Sequence, residues 1–237
     1  MGYPCPMCGR YTLTVDASVL ADLFELEPLT EFQPRYNIAP TQAVPIVRSG
    51  LEGDREWAEV RWGLIPSWAK EAKIGSRLIN ARAETVAQKP SFRSAYKHRR
   101  CLVPADGFYE WVKTGGAKQP HHIRFADRRP FAFAGLWERW IEPETGAPID
   151  SCTILTTTPN ELMADLHDRM PVILPPRRFG DWIQPGPLGP DAAEAVLLPF
   201  PAEELEAVPV TTLVNSPRNE DPRCLEPVGE QGALGFD

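Results

Sequence analysis

An α+β fold built on a curved, barrel-like mixed β-sheet with short peripheral helices is predicted by three observations. Segments rich in aromatic and β-branched residues dominate the middle of the chain. Helical patterns lie scattered around them, without the regular strand–helix alternation of a parallel sheet. Finally, 26 of the 237 residues are proline, about twice the usual ~5%, so connections should be irregular and helices short.

Taken in order, Arg10 to Val15 alternates apolar and polar residues and reads as a strand. Asp16 can cap a helix whose apolar face is Val19, Leu20, Leu23, Phe24 and Leu26. Pro34 to Pro45 reads as a proline-punctuated loop around Tyr36-Asn37-Ile38-Ala39-Pro40-Thr41. Ile79 to Glu84 reads as a strand that places Asn80 and Arg82 on one face. Ser91 can cap a short helix carrying Phe92, Ala95 and Tyr96. Phe108 to Val112 and His122 to Phe125 read as a hairpin across Gly115-Gly116. Phe131 to Trp137 and Cys152 to Thr157 are further strands. Asn160 can cap a helix ending near Leu166, and Asp191 another running to Leu197. A length of 237 residues allows one large domain or two small ones. No repeat or linker marks a boundary, so one domain is expected.

Hydrophobic residues are 43% and charged residues 24% of the chain, ordinary for a soluble globular protein. No apolar run approaches the ~18 residues of a membrane span. The start, Met1 to Met7, lacks the basic and apolar regions of a secretory signal. Five cysteines, an odd number, are read as thiols of a cytoplasmic protein. The net charge of -7 speaks against bulk, non-specific nucleic-acid binding. The charge is nevertheless split. Arg35 to Arg100 holds thirteen basic against six acidic residues, while Asp181 to the end holds two against eleven. This pattern fits either two solvated faces or a basic binding surface in the middle of the chain.

Several residues could carry chemistry. Cys5-Pro6-Met7-Cys8 is a Cys-x-x-Cys pair, but a zinc site needs two more ligands. His121-His122 could supply them only if adjacent histidines reached one ion, so no metal or other cofactor is expected. His167 lies in Leu166-His167-Asp168-Arg169-Met170-Pro171, after a short helix. Glu110 lies among aromatics in Phe108-Tyr109-Glu110-Trp111. Facing inward, its carboxyl would be raised toward the range of a general acid; facing outward, it is a surface residue. Asn80 and Arg82 offer an amide and a guanidinium side by side, suited to an oxyanion or a phosphate. Trp62 and Trp68 sit among Arg and Lys. That mixture suits single-stranded nucleic acid, whose bases stack on rings while cations track phosphates. Core packing is the commoner explanation of any one tryptophan.

Seven motifs in order resemble the SOS response-associated peptidase (SRAP) family. They are Met7-Cys8-Gly9-Arg10-Tyr11, Tyr36-Asn37-Ile38-Ala39-Pro40-Thr41, Trp62-Gly63-Leu64-Ile65-Pro66-Ser67-Trp68, Asn80-Ala81-Arg82-Ala83-Glu84, the stretch from Arg100 to Trp111, Ala134-Gly135-Leu136-Trp137, and His167-Asp168-Arg169-Met170-Pro171. The resemblance covers residues 7–215. It leaves 1–6 as an N-terminal extension and 216–237 as a C-terminal tail. It implies the SRAP fold and a monomeric sensor of abasic sites in single-stranded DNA that bonds covalently to the lesion, protecting it during the DNA-damage response. By position, Cys8 matches the family's nucleophile, Asn80 and Glu110 its active-site amide and acid, and His167 its histidine. Arg10, Arg82 and Arg169 match residues on the DNA phosphates. Asn37, Pro40 and Trp68 match positions along the DNA path.

The chemistry has a physical basis. Attack on the open-chain aldehyde of an abasic sugar needs a neutral amine. Near pH 7.4 a lysine amine is less than ~0.1% neutral, whereas an α-amine is roughly 20–35% neutral. An N-terminal Cys adds a thiol that can close on the imine to give a five-membered thiazolidine, and the intramolecular step has a high effective molarity. The sequence departs from the pattern in one respect: Met1 to Pro6 precede Met7-Cys8. Cys8 gains a free α-amine if translation begins at Met7 and Met7 is removed, which is the favoured route, or if the chain cleaves itself before Cys8. Two other functions use the same residues. One is a cysteine peptidase or N-terminal-nucleophile amidase with Cys8, His167 and Glu110. The other is a non-catalytic module that binds single-stranded DNA.

Overall fold

The computed structural model describes residues 9–50, 52–114, 116–189 and 198–229. Its first eight strands are β1 (Tyr11–Leu13), β2 (Arg35–Ile38), β3 (Ala43–Ser49), β4 (Arg55–Trp62), β5 (Asn80–Arg82), β6 (Arg100–Ala105), β7 (Gly107–Thr114) and β8 (Ala117–Phe125). They are followed by β9 (Phe131–Ile141), β10 (Pro148–Thr157), β11 (Met170–Pro171), β12 (Ile173–Leu174) and β13 (Leu205–Pro209). The α-helices are short: α1 (Ala17–Phe24), α2 (Arg93–His98), α3 (Glu161–Ala164) and α4 (Phe179–Ile183).

The strands form two sheets. β10, β4, β3, β6 and β9 pair in that order, and β10 pairs back onto β9, so these five close into a barrel. The β10–β4 pair is parallel and the other contacts around the ring are antiparallel. β5 runs parallel to β10, with Asn80 opposite Ile154 and Arg82 opposite Thr156. The second sheet has the order β13-β8-β7-β1-β2 and is antiparallel throughout. The expected barrel-like mixed sheet with edge helices is therefore present. One core joins the two sheets. Tyr11 of β1 meets Trp62 of β4 edge-on, with ring centroids 5.3 Å apart, and Phe133 of β9 at 5.9 Å. Phe108 of β7 meets the same Phe133 at 6.0 Å. Such pairs add roughly 0.5–1.5 kcal/mol each beyond the area they bury.

The local expectations fare unevenly. The hairpin is present and longer than expected, with Phe108 opposite Ile123 and Thr114 opposite Ala117. Asn160 caps α3, its Oδ1 accepting from the Met163 N–H at 2.9 Å. Asp16 stands at the cap of α1 in an extended conformation, but its side chain makes no capping bond. Ser91 is not the cap of α2; that position is Phe92. The stretch from Pro34 to Pro45 is not a loop: β2 and the start of β3 lie inside it. Pro34 and Pro40 flank β2 without entering it, and Pro45 lies where β3 pairs with β4 but not yet with β6. A missing N–H disrupts no ladder on that open side. The helix expected after Asp191 lies outside the described residues.

The C-terminal segment is folded. Short 3-10 turns at Thr212–Asn215 and Pro222–Leu225 carry Val214 and Cys224 against Tyr109. This strap covers the face of β1 and β7 that points away from the barrel. Asn37 binds it with three hydrogen bonds, from Nδ2 to the carbonyls of Val214 (3.3 Å), Ser216 (2.9 Å) and Asn219 (2.9 Å). Glu220 closes the edge of β2 by accepting the backbone N–H groups of Tyr36 and Asn37 and pairing with Arg35 at 2.9 Å.

Candidate active site

The site is built where the five-stranded sheet meets the barrel. Successive residues of a strand face opposite sides, so Phe108 and Glu110 share the side of β7 that packs on the barrel, while Gly107, Tyr109 and Trp111 share the other. Glu110 is only 4% exposed, and it shares its face of β7 with Phe108, which packs on Phe133 of the barrel, so it points inward. Opposite it on β8 stands His121, and His122 stands opposite Tyr109. The two histidines therefore point to opposite faces and cannot converge on one ion. Cys5 and Cys8 lie outside the described residues. Of the other cysteines, Cys101, Cys152 and Cys224 are buried free thiols.

The first described residues, Gly9 and Arg10, lead into β1 alongside β7. Thr12 pairs with Gly107 and Tyr11 with Phe108. The Tyr109 N–H donates to the Arg10 carbonyl at 3.0 Å. Continued by one step, the same register would set Gly9 alongside Glu110. The chain thus leads the residue next to Cys8 toward the buried acid.

Asn80 and Arg82 belong to the barrel side. Trp62 links the two groups: its Nε1 donates to the Ile79 carbonyl at 3.0 Å, and its ring packs on Tyr11. Around the end of β10, Arg169 grips Glu84 through two nitrogens, at 2.5 and 2.8 Å, and donates to the Thr156 carbonyl at 2.6 Å. These bonds hold the Glu84 carboxyl below the usual carboxylate range. His167 follows α3, its backbone N–H bound to the Met163 carbonyl at 2.8 Å. Its Nδ1 accepts the Arg169 N–H at 3.1 Å and lies 2.9 Å from Asp168 Oδ1. The carboxylate is strongly exposed, whereas the backbone donor is fixed.

The expected DNA-path residues divide into two kinds. Arg82 is exposed on β5. Trp68 is 59% exposed and lines an open pocket of about 510 Å³ with Lys70, Lys73, Ile74, Ser76 and Arg77. Two glycines hold this loop down. Gly63, with φ of +123°, lies so near Gly75 that a Cβ on it would stand 2.7 Å from the Gly75 carbonyl oxygen. Pro40 is half-buried beside Thr41, whose φ is +74°. Arg169, by contrast, is committed to Glu84. Asn37 is fully buried, its Oδ1 accepting Arg10 Nη1 at 2.8 Å and its Nδ2 bound to the strap. The ionic partner of Arg169 and the role of the strap were not read from the sequence. The Asn80-to-Glu84 motif contains Glu84, but nothing local pairs it with a residue 85 positions away.

The comparisons with known proteins bear on the family and the fold. The family model described as SOS response associated peptidase (SRAP) matches residues 7–217. The abasic site processing protein YoqW of Bacillus subtilis is 45% identical over 93% of this chain and 99% of its own length. The abasic site processing protein HMCES of Gallus gallus is 34% identical over 83% of this chain and 67% of its own. A crystal structure of a Bacteroides thetaiotaomicron protein superposes with a TM-score of 0.82 at 28% identity, covering 93% of this chain and 100% of that one. A second, from Bordetella bronchiseptica, gives 0.74 at 32% identity, covering 86% and 100%. The chain belongs to the SRAP family.

Proposed function

We propose that the protein recognises abasic sites in single-stranded DNA and bonds to them through Cys8 once that residue is the N-terminus. The observation that carries this reading is the register of β1 on β7, which, continued by one step, would set Gly9 alongside the buried Glu110. Cys8 is joined to Gly9, and a residue spans at most ~3.6 Å, so the amine and thiol of an N-terminal Cys8 would be within reach of the acid. The names of the relatives, abasic site processing proteins, support the substrate.

In this mechanism the α-amine attacks the aldehyde carbon of the open sugar. Glu110 donates a proton to the departing hydroxyl and takes one back from the nitrogen, so water leaves as the neutral imine forms. The thiol sulfur then adds to the imine carbon and closes the thiazolidine, its proton passing to the nitrogen. His167, as the imidazolium, can donate to the ring oxygen as the closed sugar opens, while the anomeric hydroxyl gives up its proton to water. The Asn80 amide holds the amine or a sugar hydroxyl. Arg82 and the Trp68 pocket receive the strand on either side of the lesion, with rings under bases and cations beside phosphates.

The test is a denaturing gel after incubation with an abasic single strand, using protein whose first residue is verified as Cys8 by intact mass. A band that survives denaturant is expected, and Cys8→Ser should give at most a weaker, imine-type linkage. No shifted band from verified protein would overturn the proposal. Hydrolysis of peptides without any adduct would favour the cysteine-peptidase reading.

A further inference from the structure

We infer that Asn215 is a positioning residue for the covalent step, acting through Trp111 on the strand ends where Cys8 and Glu110 must meet. This rests on the roles proposed above for those two residues. Two adjacent strap residues hold both strands from one point. Asn215 Oδ1 accepts the indole N–H of Trp111 at 2.7 Å, and the Val214 carbonyl accepts Arg10 Nη1 at 2.8 Å. Trp111 directly follows Glu110, and Arg10 is two residues from Cys8. The Arg10 guanidinium stands 6.0 Å from the centre of the Trp111 ring, close enough for cation–π attraction.

The turn that presents Asn215 is itself fixed. Val214 is fully buried against Tyr109. Asn37 holds three of the strap's carbonyls, and Asn219 Nδ2 donates to the Leu213 carbonyl at 2.7 Å. A strap that merely covered apolar surface would need Val210, Val214 and Cys224. It would not need Asn215, which is exposed and buries nothing. Its contribution is the orientation of the half-buried indole on the opposite face of β7, one residue along the strand from Glu110. Ring closure is sensitive to such placement, since a misplacement of ~1 Å can slow a reaction by about 10²-fold.

The experiment compares Asn215→Leu with Asn215→Asp in the full chain, each with Cys8 verified as the first residue. Asp keeps an acceptor oxygen for the indole. Adduct formation at saturating abasic single strand should slow about 10-fold in Asn215→Leu, with the half-saturating DNA concentration changed less than about 2-fold. Asn215→Asp should recover most of the rate. In a Trp111→Phe background, Asn215→Leu should cause no further slowing, because its route is already cut. Without DNA, the Trp111 indole N–H resonance should move in Asn215→Leu and much less in Asn215→Asp. A wild-type rate in Asn215→Leu, a further loss in the Trp111→Phe background, or an unmoved indole resonance would each overturn the inference while leaving the wild-type adduct intact. Absence of adduct from the wild-type chain would sink the parent proposal, and this role with it.

Discussion

In the barrel, β6 and β9 bury a nearly continuous apolar run, from Cys101 to Val103 on one strand and from Phe131 to Leu136 on the other. Gly135 keeps the packing tight: a Cβ there would stand 2.8 Å from Val103 Cγ2 and 2.9 Å from Cys101 Sγ. In the five-stranded sheet the buried set includes Thr12, Asp106, Glu110 and His122. Thr12, Asp106 and His122 are linked on the side of the sheet away from Glu110, with His122 Nδ1 left without a hydrogen-bond partner among the described residues. Asp106 Oδ1 accepts the Thr12 hydroxyl at 2.5 Å, and Oδ2 accepts the Thr14 hydroxyl at 2.6 Å, the Val15 N–H at 3.0 Å and the Thr14 N–H. Thr12 Oγ1 also lies 3.0 Å from His122 Nε2. Because the hydroxyl proton goes to Asp106, the imidazole must be the donor there. The contrast teaches a division of labour. β6 and β9 supply an apolar scaffold, although the barrel strands also bury Arg100, Glu138, Ser151 and Thr153, while the polar groups buried beside the smaller sheet tie β1 to the start of β7, under the reacting residues.

The sharpest way to separate the two faces of β7 is Glu110→Gln. The change keeps size and hydrogen-bonding shape but removes the acid. Crosslinking should slow by about 10²- to 10⁴-fold if proton transfer limits it. DNA affinity should barely move, since no cation is lost. An open-chain aldehyde substrate bypasses sugar opening and should therefore rescue His167→Ala more than Glu110→Gln. A Glu110→Gln variant that crosslinks at the wild-type rate between pH 6 and 8 would reduce Glu110 to packing.

The opposite face makes a prediction about stability. Burial, with smaller contributions from Arg124 and Arg128, lowers the His122 pKa to about 3, against about 6.5 in an unfolded chain. Between those values the unfolded chain binds a proton that the folded chain refuses. Stability should therefore be fully present above about pH 6.5 and fall as the pH drops toward 3, by up to ~1.4 kcal/mol per pH unit. Urea unfolding at pH 6.5, 5.8 and 5.0 samples this window above the range where most carboxylates titrate. His122→Gln should give a visibly shallower dependence. Equal slopes in the two proteins would mean that His122 is not held neutral by the fold.

What the sequence made legible was local. The strand from Phe108 to Val112, its pairing with the strand that follows and the Asn160 cap are each decided within a few residues, and each appears in the structure. Glu110 could not be oriented by alternation alone, because the neighbouring residues on both faces of β7 are apolar or aromatic. Barrel closure depends on β10 pairing with both β4 and β9, and no local pattern announces a strand with two such partners. β2 was hidden by its flanking prolines. The strap was hidden because its anchors are remote: Asn37 reaches carbonyls 177 to 182 positions away. A buried asparagine in a proline-rich segment reads equally as a ligand contact or a structural tie, and only its partners distinguish them.

The smallest expected effect separates two arginines that the motifs treat alike. Arg82 is exposed, while the Arg169 side chain is 10% exposed and bound to Glu84. Each phosphate neutralised on a single strand contributes about -0.7 to the slope of log affinity against log salt. If Arg82 lies beside a phosphate, Arg82→Ala should flatten that slope by about this amount. Arg169 is already neutralised by Glu84, so Arg169→Ala should leave the slope close to wild type. It should lower stability instead, because the Thr156 carbonyl loses a buried donor. It should also let the Glu84 carboxyl rise back toward its ordinary range, which an NMR titration of that carboxyl can follow. Glu84→Gln offers the converse: it releases the Arg169 charge without deleting it, so the slope should steepen. Salt titrations of undamaged single-strand binding measure all three variants on one scale. A slope flattened equally by Arg82→Ala and Arg169→Ala would show that DNA pulls Arg169 away from Glu84, and the division between exposed and committed arginines would fail.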